Sequence, residues 1–136
     1  MNIRSSLVTL TMLLAAACNT VGVSRELGGF AVVRPAIAYA MILDTRQLVV
    51  LDFRTREEFD GGHVAGALST PLGSIENRIA ELLPYQSSTI LTYASSEEEG
   101  IRAATLLVAA GFRNVIRIKG GIGAWIEGGY PTVTSP

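Results

Sequence analysis

Three short runs of apolar and β-branched residues set the frame for this chain: Leu48-Val49-Val50-Leu51-Asp52, Thr89-Ile90-Leu91-Thr92-Tyr93 and Asn114-Val115-Ile116-Arg117-Ile118. Each is apolar at consecutive rather than alternate positions, the pattern of a strand covered on both faces. Sheets buried that way are mostly parallel, because parallel neighbours need a crossover and the crossover helix covers a face. The segments between the runs supply such helices. Ile75, Ile79, Leu82 and Leu83 recur at helical spacing up to Pro84, and 101–110 is rich in Ala and Leu up to Gly111, a suitable C-terminal stop. A shorter helix is expected over 35–43, where Ala36, Ile37, Tyr39, Ala40 and Leu43 follow a proline in the first turn. The predicted fold class is therefore α/β, a single domain with a mainly parallel central sheet and helices on both faces.

Charge and cysteine content exclude several functions. The 136 residues carry 11 basic and 12 acidic side chains, a net charge of -1, with no basic stripe to attract nucleic acid. Cys18 is the single cysteine, which excludes an internal disulfide framework and any multi-cysteine metal site. No cofactor and no metal are expected.

The N-terminus reads as an address. Arg4 is followed by an apolar run from Leu7 to Leu14, interrupted by Thr9 and Thr11, and then by Ala15-Ala16-Ala17-Cys18, the layout of a secretory signal. The run is far short of the roughly 20 residues that a bilayer-spanning helix needs. Small residues before a cysteine resemble the lipobox of bacterial lipoproteins, although Ala15 stands where leucine is usual and Leu14 lies one step earlier. Acylation of Cys18, ordinary cleavage after Ala17 and retention as an anchoring helix are the three readings. An acylated Cys18 would serve as an anchor, since stable attachment takes more than one acyl chain. The expected division is 1–17 signal peptide, 18–30 lipid anchor and tether, and 31–136 domain, located in the bacterial cell envelope as a membrane-anchored lipoprotein or a periplasmic or secreted protein.

Several ordered motifs then identify a family. Val50-Leu51-Asp52-Phe53-Arg54, the turn with Glu57-Glu58-Phe59, Gly62-His63-Val64-Ala65-Gly66-Ala67, Ala110-Gly111-Phe112 and Gly120-Gly121-Ile122-Gly123-Ala124-Trp125 with Gly129-Tyr130-Pro131 together resemble the rhodanese-like, or sulfurtransferase homology, domain. The resemblance covers most of 36–132. It implies a strand that ends in a cysteine and opens a six-residue loop leading into a helix, with sulfur carried on that cysteine as a persulfide. A thiolate there is stabilised by loop amides and the helix N-terminus. Counting back from Ala103-Ala104-Thr105-Leu106-Leu107 puts that loop at Ala94-Ser95-Ser96-Glu97-Glu98-Glu99. Ala94 then stands in place of the cysteine, and Glu99 where relatives often carry arginine. No cysteine follows Cys18, so no register of this loop supplies a thiol. The leading reading is a catalytically inactive domain that binds a protein or regulates one; the alternative is a sulfurtransferase or phosphatase-like enzyme working by a non-cysteine route.

Candidate binding residues are Asp52, Arg54, Glu97, Glu98 and Glu99. The three glutamates can favour the positive end of the following helix, meet a basic protein partner, or hold a cation. As an acidic rim they would disfavour an anionic ligand by about 1 kcal/mol per nearby charge in water-like surroundings. Asp52 and Arg54 end the first central strand on the side where open α/β sheets bind ligands, but structural polar contacts suit them equally. Ser95 and Ser96 are expected to bond the backbone. As nucleophiles they would need a base, and the only histidine, His63, belongs to a turn outside the loop. Trp125 is expected in the core, on a short final helix.

Overall fold

The computed structural model describes residues 22–44 and 47–136. The expected signal, Cys18 and the first residues of the expected tether lie outside the described residues. In chain order the elements are β1 (Val23–Arg25), β2 (Ala31–Val33), α1 (Pro35–Asp44), β3 (Leu48–Asp52), α2 (Arg56–Gly61), β4 (Leu68–Ser69), a 3-10 turn (Leu72–Ser74), α3 (Ile75–Leu82), a second 3-10 turn (Leu83–Tyr85), β5 (Thr89–Tyr93), α4 (Glu97–Ala109), β6 (Asn114–Ile118) and α5 (Gly121–Glu127). The six strands form one sheet in the order β1-β2-β6-β5-β3-β4. Five run parallel, and β1 pairs antiparallel at the edge.

Consecutive apolar residues in the central strands serve two faces. Leu51, Ile90 and Val115 pack with Ile75 and Leu82 of α3 and Ala103, Ala104 and Leu107 of α4. Their neighbours Val50, Leu91 and Ile118 pack on the other face with Ala38 of α1, Phe59 of α2 and Ile122 and Trp125 of α5. The domain is thus α/β, with a mostly parallel sheet between two helical layers. On α4 the inward stripe Gly100, Ala103, Ala104 and Leu107 follows helical spacing, and its small residues let the helix lie close to the sheet.

Three local differences from the sequence reading have physical causes. Val23–Arg25, placed in the tether from sequence, forms β1, and Phe30 is buried against α4 and β6. A three-residue edge strand exposed on both faces has no periodicity to betray it. Glu57-Glu58-Phe59 is helical rather than a turn, because Thr55 and Glu58 form a reciprocal capping box that starts α2. Finally, the loop after β5 is only Ala94-Ser95-Ser96: the Ser96 hydroxyl accepts from the Glu99 N–H and caps α4, so Glu97, Glu98 and Glu99 form its first helical turn.

Candidate functional site

The carboxyl ends of β3, β4 and β5 meet on one edge of the sheet, and the side chains there form a buried polar network. Asp52, fully buried at the end of β3, accepts from the Arg54 backbone N–H at 2.9 Å and from the Arg54 guanidinium, with Nη2 2.7 Å from Oδ2 and Nε 3.1 Å from Oδ1. The Tyr93 hydroxyl, at the end of β5, donates to Asp52 Oδ2 at 2.6 Å and accepts from the Val64 N–H at 3.1 Å. Arg54 Nη2 also donates to the Gly62 carbonyl at 2.7 Å, and the guanidinium lies over the Tyr93 ring. Burial draws the Arg54 pKa down, but the hydrogen bonds and charge of Asp52 outweigh it and the net shift is upward. Burial, and then the bond to Asp52, push the Tyr93 phenol well above its ordinary value.

Above this network lies a cavity of about 280 Å³ lined by Phe53, Arg54, Thr55, Glu58, Pro71, Leu72, Gly73, Ser95, Glu99 and Arg102. Ala94, buried at the carboxyl end of β5, is fixed from below: its carbonyl accepts from the Ile122 N–H at 3.1 Å. Gly121, in the left-handed region at φ 58°, passes so close that a β-carbon would fall 2.3 Å from that carbonyl oxygen, and only glycine fits. Ser95 donates to Glu58 Oε1 at 3.1 Å. The Thr55 N–H and hydroxyl bind Glu58 Oε2, each at 2.9 Å, and hold its carboxyl below the usual range despite partial desolvation; Ser95 adds to that effect. Glu58 is therefore a poor base for Ser95. His63 stacks on Phe59 with ring centres 3.7 Å apart, and its Nδ1 lies 2.7 Å from the Phe59 carbonyl. It is not among the cavity-lining residues.

The three glutamates do not converge. Glu97 turns to the opposite side of the helix start, where its carboxylate pairs with Arg117 Nη1 at 2.7 Å and accepts from the Gly120 N–H. Glu99 borders the cavity, and Glu98 is exposed. The cavity lining thus combines basic Arg54 and Arg102 with acidic Glu58 and Glu99 and with apolar Phe53, Pro71 and Leu72, a mixed-charge lining. Among the described residues no group of three or more His, Cys, Asp or Glu side chains is placed to hold a metal, and no helix is long and apolar enough to cross a membrane. Sequence reasoning brought Asp52 and Arg54 to this edge but missed Tyr93, Glu58, Arg102 and Arg117. The Thr55-x-x-Glu58 spacing could have revealed Glu58 as a cap; Tyr93 and Arg117 are hidden inside strand patterns.

Against known proteins, the rhodanese-like domain pattern matches residues 35–128. This chain belongs to the rhodanese-like domain family. Thiosulfate sulfurtransferase 18 of Arabidopsis thaliana is 36% identical over 98 residues, covering 62% of this chain and 71% of the relative. A sulfurtransferase of Allochromatium vinosum is 29% identical over 92 residues, covering 68% and 84%. Among solved structures, the rhodanese-like domain of the Alr3790 protein from Anabaena sp. superposes with a TM-score of 0.69 at 28% identity, covering 79% of this chain and 80% of that one. The rhodanese-like region begins at α1, so β1 and β2 lie before the matched segment but complete the same sheet.

Proposed function

We propose that this rhodanese-like domain is catalytically inactive and works in the bacterial cell envelope as a protein-binding or regulatory module, held at a membrane through a lipid on Cys18. One observation carries the reading. At the strand end where the family's chemistry requires a thiolate stands the buried methyl group of Ala94, in a chain whose one cysteine precedes the fold. A methyl group neither accepts nor passes sulfur. The neighbouring hydroxyls offer no substitute, because Ser95 faces a carboxylate of lowered basicity and Ser96 is committed to capping α4. The sulfurtransferase relatives share the scaffold; their activity does not transfer with it.

The test is thiosulfate:cyanide sulfur transfer by the purified domain lacking residues 1–18. No turnover above a heat-inactivated control is expected, and turnover above it would refute the reading. Ala94→Cys combined with Glu99→Arg is expected to take the outer sulfur of thiosulfate, its thiolate attacking that sulfur and sulfite leaving, so that a persulfide one sulfur atom heavier is seen by intact mass; a folded variant whose new thiol never takes sulfur from thiosulfate would show that Ala94 is not the site of the chemistry. For the partner, Glu98→Gln with Glu99→Gln leaves the Glu97 pairing intact while neutralising the exposed carboxylates that favour a basic surface. A pull-down from envelope extract that loses no component with this variant would remove the loop as the interface. Intact mass of the mature protein separates acylated Cys18 from a free cysteine and from an uncleaved chain.

A further inference from the structure

We propose that α1 is a membrane-docking face, the apolar outer side of its helix lying along the bilayer that holds the lipid on Cys18. The inference rests on the lipid-anchor reading given above and adds to it the surface of the domain that meets the membrane.

The composition of α1 does not suit a helix that faces water. From Pro35 to Leu43 no residue is charged, yet Ala38 alone is fully buried. A helix that is apolar all round is normally enclosed. Here Ala36, Ala40 and Leu43 recur at helical spacing on the outer side, and Leu43 is 70% exposed. α5 belongs to the same helical layer, joined to α1 by the Tyr39 ring against Trp125 and Tyr130, and it presents Ile126 outward at 59% exposure.

The place where the anchor enters the fold indicates what covers this side. Gly22 is four residues after Cys18, a span of at most about 14 Å of chain. It lies against the start of α1: a β-carbon at Gly22 would stand 3.3 Å from Arg34 Nη2 and 3.8 Å from Ile37 Cγ1. A lipid on Cys18 therefore holds the first turn of α1 close to the headgroups, and the helix extends only roughly 15 Å beyond that point. The charges agree. Arg34 and Lys119 are exposed and line a groove with Gly22, and among the described residues neither makes an ion pair. Cations placed there suit anionic headgroups, whereas the one acidic residue of α1, Asp44, closes the helix at the end away from Gly22. A docked helix of this kind needs to sink its apolar side only into the boundary between headgroups and acyl chains.

The test imposes the anchor chemically. Cys18 is the only cysteine, so the mature chain can be coupled through it to a maleimide-headgroup lipid in nanodiscs of phosphatidylcholine and phosphatidylglycerol in equal parts. A nitroxide on the lipid headgroups then broadens the amide resonances nearest the bilayer. The amides of Ala36, Ala40 and Leu43 are expected to relax at least fivefold faster than those of Glu76 and Glu98, which lie on the helices of the opposite layer. Ala36→Glu/Ala40→Glu/Leu43→Glu, all at exposed positions, is expected to abolish that contrast while the coupling stays intact. Equal broadening of the two layers, stronger broadening on α3 or α4, or a contrast that survives in the folded triple variant would overturn the proposal. A dimer of the uncoupled chain in sedimentation that the triple variant dissolves would assign the face to a second copy and overturn it as well. If the triple variant does not fold, the pattern in the unsubstituted protein decides. Because coupling replaces the native lipid, this result is separate from the intact-mass test, in which a mature mass without acyl chains would overturn the anchor reading itself.

Discussion

Asp52 and Tyr93 are 41 residues apart in sequence, yet their side chains are joined at 2.6 Å and close the network under the cavity. Removing one partner of such a network costs more than the bond itself is worth, because the groups left behind are buried. Tyr93→Phe is expected to cost about 1–3 kcal/mol in urea unfolding. Asp52→Ala, which strands the Arg54 guanidinium, is expected to cost about 3–5 kcal/mol. The two ionisable ends of the site respond to pH in opposite senses. The Tyr93 pKa is raised in the fold, so its contribution is complete below the ordinary value of 10.0 and is lost as pH rises above it. In an alkaline absorbance titration one of the four tyrosines should ionise only together with unfolding. The Glu58 pKa is lowered, so its small contribution is present above its ordinary 4.5 and fades as pH falls through the depressed value. Thr55→Ala, which removes one of the two Thr55 donors to Glu58, should narrow that acid-side dependence.

At the scale of elements, the start of α4 shows how one residue sets the shape of a loop. Ser96 satisfies the Glu99 N–H, and the glutamates that follow lie in the first turn, where the helix dipole favours negative charge. Ser96→Ala is expected to destabilise the domain by about 0.5–2 kcal/mol, measured as a lowered urea midpoint with unchanged slope. Helix positions and stops were legible because Ile75, Ile79 and Leu82, and the small-residue stripe of α4 ending before Gly111, carry a helical period in the sequence itself. The capping box of α2 was present in the letters Thr55 and Glu58 but masked by reading the segment as a turn. For β1 the sequence had no usable signal, because an exposed three-residue edge needs only backbone pairing with β2.

For the whole molecule, the boundary of the fold is a stability question. Residues 22–30 complete the sheet edge and deliver Phe30 to the core beside Val32 and Leu107. A chain beginning at residue 31 is expected to lose about 3–5 kcal/mol from the missing Phe30 alone, by analogy with Phe-to-Ala changes in cores. It also bares the β2 edge, which invites association. A chain beginning at residue 22 should unfold at the higher urea concentration and remain monomeric by sedimentation; equal midpoints would show that β1 and Phe30 contribute nothing to the domain.

Local composition was enough to determine the layered α/β architecture, the places of the three central strands, and the absence of any thiol from the loop after β5. Those properties depend on residues close together in the chain or on residue types alone. Only the tertiary structure decided where the charges of that loop go. Glu97 meets Arg117 across 20 residues, Ser95 meets Glu58 across 37, and Arg102 comes to face the same cavity as Arg54. An acidic run in sequence therefore became a mixed-charge cavity wall on one side and, on the other, an ion pair between exposed Glu97 and buried Arg117. Charge acts through space, and the parallel sheet order β6-β5-β3 brings distant segments to one edge.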